Sequence, residues 1–353
     1  MSKPVDFANV QNVLLLRTDH LGDLLVSTPL IRQLRTALPG RRFTLVASPA
    51  NAEALVGWDA IDEVRVFDSR WPLKKKCEFI QELRQTRWDL CLTLSPRTRS
   101  YILGRLSGAP IRAGIVYSRR VLVRLLRPLW LTHAVVSRID ECLAAGQPVM
   151  HEVLQLAEIP KALGLPVSEP GPLEIPLGES SLAWAREWLA AKGAAPCLIA
   201  IHGAGKWLTQ GWTAADFMTL VGAVEELRSH SKILITFGPG DTALQQAVEA
   251  ALAETPNSAV LCPGQLPFSH WAALFSLCDV LISPDTGAVH LAVALGRPVV
   301  SLYEANVFLR ASRQFGPWQV PAGVLRWESP KVTIPLILEE TLRLLPMESR
   351  KDF

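Results

Sequence analysis

The sequence contains no run of about 18 uncharged apolar residues, so no transmembrane helix is predicted. Its opening stretch, MSKPVDFANVQNVLLL, lacks the apolar core and small-residue cleavage site of a secretory signal, and a cytoplasmic chain is expected. The cysteines, Cys77, Cys91, Cys142, Cys197, Cys262 and Cys278, form no CxxC pair. Scattered in this way they read as reduced thiols, which argues against a disulfide frame or a zinc site. No nucleic-acid-binding motif accompanies the arginines, and regular aromatic interleaving is missing, so no nucleic-acid partner is expected.

What is present describes a two-domain globular protein. At 353 residues the chain exceeds most single cores. Hydrophobic residues at 49% and charged residues at 20% are ordinary for a soluble fold. The net charge of +3 hides an asymmetry: residues 1–150 carry 22 lysines and arginines against 13 carboxylates, and residues 151–353 carry 14 against 20. The first half should therefore attract an anionic partner. Much of its excess lies between Arg97 and Arg127. Read alone, those arginines fit a solvated face as well as a binding patch.

Both halves follow one grammar. In the first, NVLLLR (12–17), RFTLVAS (42–48), EVRVFD (63–68) and DLCLTLS (89–95) read as buried strands. Helical spacing separates them at 28–38, 51–58 and 75–86. GLPVSEPGPLEIPLGE (164–179) is rich in proline and glycine without a period and reads as a linker. Strands then recur at 197–202, 232–238, 258–264, 279–284 and 298–304, with helices at 214–230, 242–254, 268–278, 286–296 and 335–345. Such alternation predicts two doubly wound α/β domains, here expected to face a central cleft. Ligands of such sheets bind beyond the carboxyl ends of the strands. Two loops qualify. RTDHLGDLLVSTPL places Asp19 and Asp23 between a strand and a helix, where they either cap the turn or supply a base. SPDTGAVH (283–290) starts a helix at Thr286-Gly287, where free amides and the helix dipole suit a phosphate. Asp285 there is either a cap or an acceptor for sugar hydroxyls. His290 follows one turn later, as a ligand or as a core histidine. The loop is neither a Walker loop nor GxGxxG, so spacing alone names no ligand.

Taken together, four stretches resemble the heptosyltransferases, glycosyltransferase family 9: LLLRTDHLGDLLVSTPLIRQLRTALPG, MHEVLQLAEIPKALGL (150–165), HGAG…WLTQGWTAADF (202–217) and SPDTGAVHLAVALGRPVVSLY. The ordered set covers nearly the whole chain. The resemblance implies a GT-B fold with an acceptor-binding domain at 1–165, a linker at 166–178 and a nucleotide-sugar domain at 179–330. A closing helix within 331–353 has the option of crossing back to the first domain. It further implies inverting transfer of a heptose from ADP-heptose to an anionic glycolipid, the lipopolysaccharide inner core, at the inner membrane face, with no metal and no other cofactor.

On this resemblance Asp23 is the catalytic base and Gly22 lets substrate approach, while Asp19 orients the loop or binds acceptor. Asp285, Thr286, Gly287 and His290 fall to the donor, and Leu266 to the adenine. Arg97, Arg99, Arg119 and Arg120 are expected to contact the acceptor or the membrane surface. Three departures bear on the donor. Gln210 stands where relatives often carry lysine, with Lys206 four residues earlier as a phosphate ligand or a solvated lysine. Ala204 and Gly205 replace hydroxyl residues and leave backbone amides as donors. Glu304 replaces a common glycine after Tyr303. A different nucleotide sugar, a non-catalytic sugar-nucleotide-binding protein, and a GT-B-shaped epimerase or hydrolase are the competing readings.

Overall fold

A computed structural model of the chain describes residues 5–193 and 197–346, and the chain divides into two compact units between Pro176 and Leu177. Residues 347–353, part of the expected closing segment, lie outside the described residues.

The first unit holds β1 (Asn12–Arg17), β2 (Arg42–Ala47), β3 (Glu63–Val66), β4 (Leu90–Thr93), β5 (Ile111–Tyr117) and β6 (His133–Ser137). Every pairing is parallel, in the order β3-β2-β1-β4-β5-β6. Central strands covered on both faces must be apolar throughout, and Val13, Leu14, Leu15 and Leu16 are all fully buried. Helix Thr28–Ala37 opens with proline in its first turn and turns Leu30, Ile31 and Leu34 inward. Helix Glu152–Leu163 ends at Gly164, whose φ of +81° is left-handed and suits a residue without Cβ.

The second unit repeats the plan with β7 (Cys197–His202), β8 (Ser231–Thr236), β9 (Val260–Leu261), β10 (Val280–Pro284), β11 (Val299–Tyr303) and β12 (Ala322–Arg326). Its order is β12-β11-β10-β7-β8-β9, again wholly parallel. Read from the first strand of each unit, the two orders are identical. Winding therefore reverses between β1 and β4 in one sheet and between β7 and β10 in the other. Those reversals are where two neighbouring loops leave in opposite directions and open a crevice.

The segment 98–165 holds more structure than its sequence announces: helices Thr98–Leu106 and Val121–Trp130 alternate with β5 and β6. Helix Glu179–Ala191 and β12 also lie outside the sequence expectation. The apolar run at 258–264 pairs only through Val260 and Leu261, because it lies at the sheet's edge. The closing helix, Pro330–Leu344, buries Thr333, Ile337 and Thr341; Ile337 joins the second unit's core with Phe217, Ile282 and Trp327.

Candidate functional site

In the first unit the reversal point gathers the loops after β1 and β4. Arg17, the last residue of β1, is 1% exposed. Its Nε donates to the Asp23 carbonyl at 2.8 Å and its Nη1 to the Leu94 carbonyl. The same guanidinium lies 3.4 Å from the Asp19 carboxylate and 3.6 Å from that of Asp23. Burial disfavours the charge on Arg17, but the surrounding acids, Asp19 and Asp23 first and Glu152 after them, favour it, and its pKa is raised. The two aspartates then part ways. The Asp19 side chain is 4% exposed, and burial raises its pKa against the lowering effect of Arg17. Its backbone carbonyl accepts from Ser48 and Asn51, so of its two expected roles the geometry supports orienting the loop. An acceptor contact through a side chain so enclosed is not what the geometry offers. The Asp23 side chain is 24% exposed. It also accepts from the His20 amide at 3.3 Å, so it caps its own turn while keeping a face open to solvent. Gly22 is buried beneath it.

The arginines are more varied than their spacing implies. Arg97 and Arg99 are exposed, and Arg97 donates to His20 Nε2 at 3.3 Å, beside Asp23. Arg119 is exposed and lies 3.4 Å from Asp140. Arg120 is half-buried: it donates to the Pro96 carbonyl and to Thr98 Oγ1 at 2.8 Å. Two of its N–H groups hold the loop after β4.

The second unit's reversal point gathers the loops after β7, β10 and β11. Thr286 caps helix Gly287–Ala294, its hydroxyl accepting from the Ala288 amide at 3.3 Å. Lys206 Nζ donates to the Asp285 carbonyl at 2.6 Å and lies 3.5 Å from the Asp285 carboxylate and 3.9 Å from Glu304. A tryptophan cluster holds this lysine in place. Trp207 is fully buried, packs on Trp212 and Trp327, and donates to the His202 carbonyl at 2.9 Å. Lys206 is therefore gathered beside Asp285 as an ion-paired site lysine. His290 is buried at 5% exposure in the helix behind. Leu266 is half-buried in the loop before helix Phe268–Leu277.

The amides expected to meet phosphate are already used. Gly205 N–H donates to Asp241 Oδ1 at 2.6 Å and Ala204 N–H to the His202 carbonyl at 3.0 Å. An anion there would also face the Asp241 charge, so the free-amide role assigned to Gly205 does not hold in this arrangement. Sequence reasoning missed Asp241 because it arrives from the loop after β8. It missed Arg17 and His20 although both sit inside the motif; the available signal was a cation ending a wholly apolar strand. Among the described residues, no group of three His, Cys, Asp or Glu side chains is placed to hold a metal ion.

His202, ending β7, is buried against Thr236 and Trp271. Gly203 leaves no space beside it: a Cβ there would meet the Phe237 ring at 2.3 Å. Burial pushes the imidazole pKa down to about 4, opposed by the Asp241 charge. The unfolded chain takes up this proton near 6.5, the folded chain only near 4, so stability is full above the first value and falls as pH drops toward the second. The loss is on the order of 3 kcal/mol. Denaturant melts of the wild type and His202→Asn at neutral and acid pH should show a shallower acid loss in the variant; equal slopes would contradict a buried neutral imidazole.

Comparison with known proteins places this geometry. The family model for glycosyltransferase family 9 (heptosyltransferase) matches residues 77–335. Lipopolysaccharide heptosyltransferase 1 of Pseudomonas aeruginosa is 28% identical over 308 residues, 82% of this chain and 78% of its own length. A family 9 glycosyl transferase from Veillonella parvula superposes with a TM-score of 0.74 at 22% identity, covering 92% of this chain and 88% of its own. The E. coli ADP-heptose lps heptosyltransferase II gives a TM-score of 0.73 at 18% identity, with 95% and 98% covered. The two parallel six-stranded sheets of this chain thus have the GT-B type architecture of these neighbours. With the family model spanning most of the chain and both reversal-point loops in place, the protein is a glycosyltransferase and belongs to family 9, the heptosyltransferases.

Proposed function

We infer that this enzyme moves a heptose from ADP-heptose to a lipopolysaccharide inner-core acceptor, inverting the anomeric centre. The observation that carries the reading is the division of labour at the first reversal point. Of the two motif aspartates one is enclosed against Arg17, and the other, Asp23, keeps a solvent-facing carboxylate. The acceptor hydroxyl oxygen forms a bond to the anomeric carbon while the bond from that carbon to the diphosphate oxygen breaks on the opposite face. The hydroxyl proton passes to Asp23, and the bonding pair leaves on ADP.

The departing charge meets Lys206 and the amide end of the helix begun by Thr286 and Gly287. Asp285 takes sugar hydroxyls, Leu266 the adenine, and His290 packs behind the helix start. The scheme asks for no metal ion: the Lys206 ammonium and the amides of the helix start are the groups offered to the departing charge. Exposed Arg97, Arg99 and Arg119 lie on loops and a helix following β4 and β5, suited to the phosphates and acidic sugars of the acceptor. The lipid part of that acceptor places the enzyme at the cytoplasmic face of a membrane.

Heptosyl transfer is supported by the family and by the Pseudomonas heptosyltransferase, and ADP-heptose as the donor by the E. coli ADP-heptose lps heptosyltransferase II, which shares this fold. Lys206 shared between Asp285 and Glu304 is the feature that sets the local charge of this donor site. Purified protein incubated with a deacylated inner-core acceptor, EDTA and ADP-heptose should yield a product whose new linkage has the opposite anomeric configuration to the donor. Turnover with a uridine or guanosine sugar and none with ADP-heptose would overturn the donor assignment. Retained configuration would overturn the single displacement.

A further inference from the structure

Between Asp89 and Asp140 lie fifty residues without a single carboxylate, carrying nine arginines. Their folding produces an apolar face that is exposed among the described residues. Helix Val121–Trp130 buries only Val123 among its ten residues. Val123 joins a small core with Tyr101, Val116 and Leu131, and Trp130 stacks on Tyr101 at 6.1 Å. On the other side Val121, Leu122, Leu125, Leu126 and Leu129 are 53%, 69%, 67%, 36% and 60% exposed. At about 100° per residue these five fall within an arc of about 140°, a continuous apolar stripe. The neighbouring helix, Thr98–Leu106, adds Ile102 and Leu106, also exposed. Scattered exposed leucines need no explanation, but a contiguous set on one helix does.

The flanks are uniformly basic. Arg124 lies on the same helix about 60° beyond the edge of the stripe, and Arg99 and Arg105 are exposed on its neighbour. Among the described residues, no carboxylate lies within 4 Å of Arg124, Arg127, Arg99 or Arg105. An apolar stripe edged by arginine is complementary to a layer that is anionic at its surface and hydrocarbon beneath. A protein partner would need matching acids and would leave the leucine tips in contact with them. A second copy of this chain would bring arginine against arginine.

We propose that helix Val121–Trp130, with Ile102 and Leu106 beside it, is the surface on which this enzyme seats itself in the headgroup layer of an anionic bilayer. The helix lies in the plane of the membrane: no described helix is long and apolar enough to cross one. The leucines enter the acyl boundary, and Arg124 and Arg105 bind lipid phosphates. The proposal gains its purpose from the glycolipid acceptor argued above, but it is read without acceptor or donor, so each can fail alone.

The full-length protein is sedimented with sucrose-loaded vesicles of phosphatidylethanolamine and phosphatidylglycerol, and with vesicles of phosphatidylcholine alone. Binding to the anionic vesicles should exceed binding to the neutral ones at least about tenfold and fall as salt rises. Leu122→Ser with Leu125→Ser should lower the partition coefficient at least about tenfold. Arg124→Gln and Arg105→Gln should each lower it about fivefold. Leu309→Ser, an exposed leucine of the second unit, should change nothing. Circular dichroism and the rate on a deacylated acceptor confirm that each variant is folded, and Leu122→Ala with Leu125→Ala serves if the serines are not. Equal binding to both vesicle types, or variants that bind like the wild type, would overturn the proposal. So would a lipid-free dimer that the leucine changes dissociate without altering vesicle binding, since that face would then join two copies.

Discussion

Asp23→Asn is expected to lower kcat by about 10²–10⁴-fold while leaving nucleotide-sugar affinity at the wild-type level. The two readouts separate because of where the side chain lies. Asp23 belongs to the first unit, whereas Lys206, Asp285 and the Thr286 helix start belong to the second. The change costs the fold little. The amide oxygen of asparagine still accepts from the His20 amide, a contact already long at 3.3 Å. The lost ion pair to Arg17 is long, at 3.6 Å, and the buried guanidinium still faces Asp19, so its charge keeps a partner. Single-turnover rates, donor titration and a thermal melt on the same preparation make the check. Wild-type turnover by the variant would remove the base assignment and leave Asp23 as a helix cap.

Arg17→Met is expected to destabilise the protein by about 3–5 kcal/mol, a larger effect than any surface change in the same loop. Methionine fills the volume of the guanidinium stem but leaves Asp19 enclosed without its cation. Two carbonyls, those of Asp23 and Leu94, lose their donor at the same time. Adding Asp19→Asn should recover part of the loss, because removing both charges is far cheaper than removing one.

The deficit carries a pH signature. The folded pKa of Asp19 is already raised, by burial first, and losing Arg17 raises it further. A carboxyl with a raised folded pKa binds its proton more tightly in the folded state, so stability falls as pH rises from the unfolded value toward the folded one. The Arg17→Met deficit should therefore be smallest in acid and grow toward neutrality, measured by denaturant midpoints across that range. A deficit independent of pH would mean that packing and the two carbonyl contacts, not the buried charge, account for the loss.

Residues 12–17, 197–202, 279–284 and 298–304 were legible as strands because a strand covered on both faces has no polar alternation to confuse the reading. Helix and linker positions followed from apolar spacing and from the proline-rich stretch around 164–179. Residues 98–137 were not legible. Helix Val121–Trp130 does carry one apolar stripe, but that stripe faces outward while Val123 packs inward, and spacing marks a face without saying what meets it.

The sequence by itself determined the α/β class, the repetition of one plan in two halves, and the two loops that hold Asp23 and Thr286-Gly287. Local order is written in local spacing, and a motif of adjacent residues needs no partner to be read. Only the tertiary structure decided which groups those loops meet. It set Arg17 against Asp19 and Asp23, handed the Gly205 amide to Asp241, and brought Glu304 to Lys206. Each of these contacts joins residues placed by strand order or by a tight turn, and no one-dimensional period carries strand order. The same applies to the uncovered leucine face, since exposure is a property of what fails to pack over a residue.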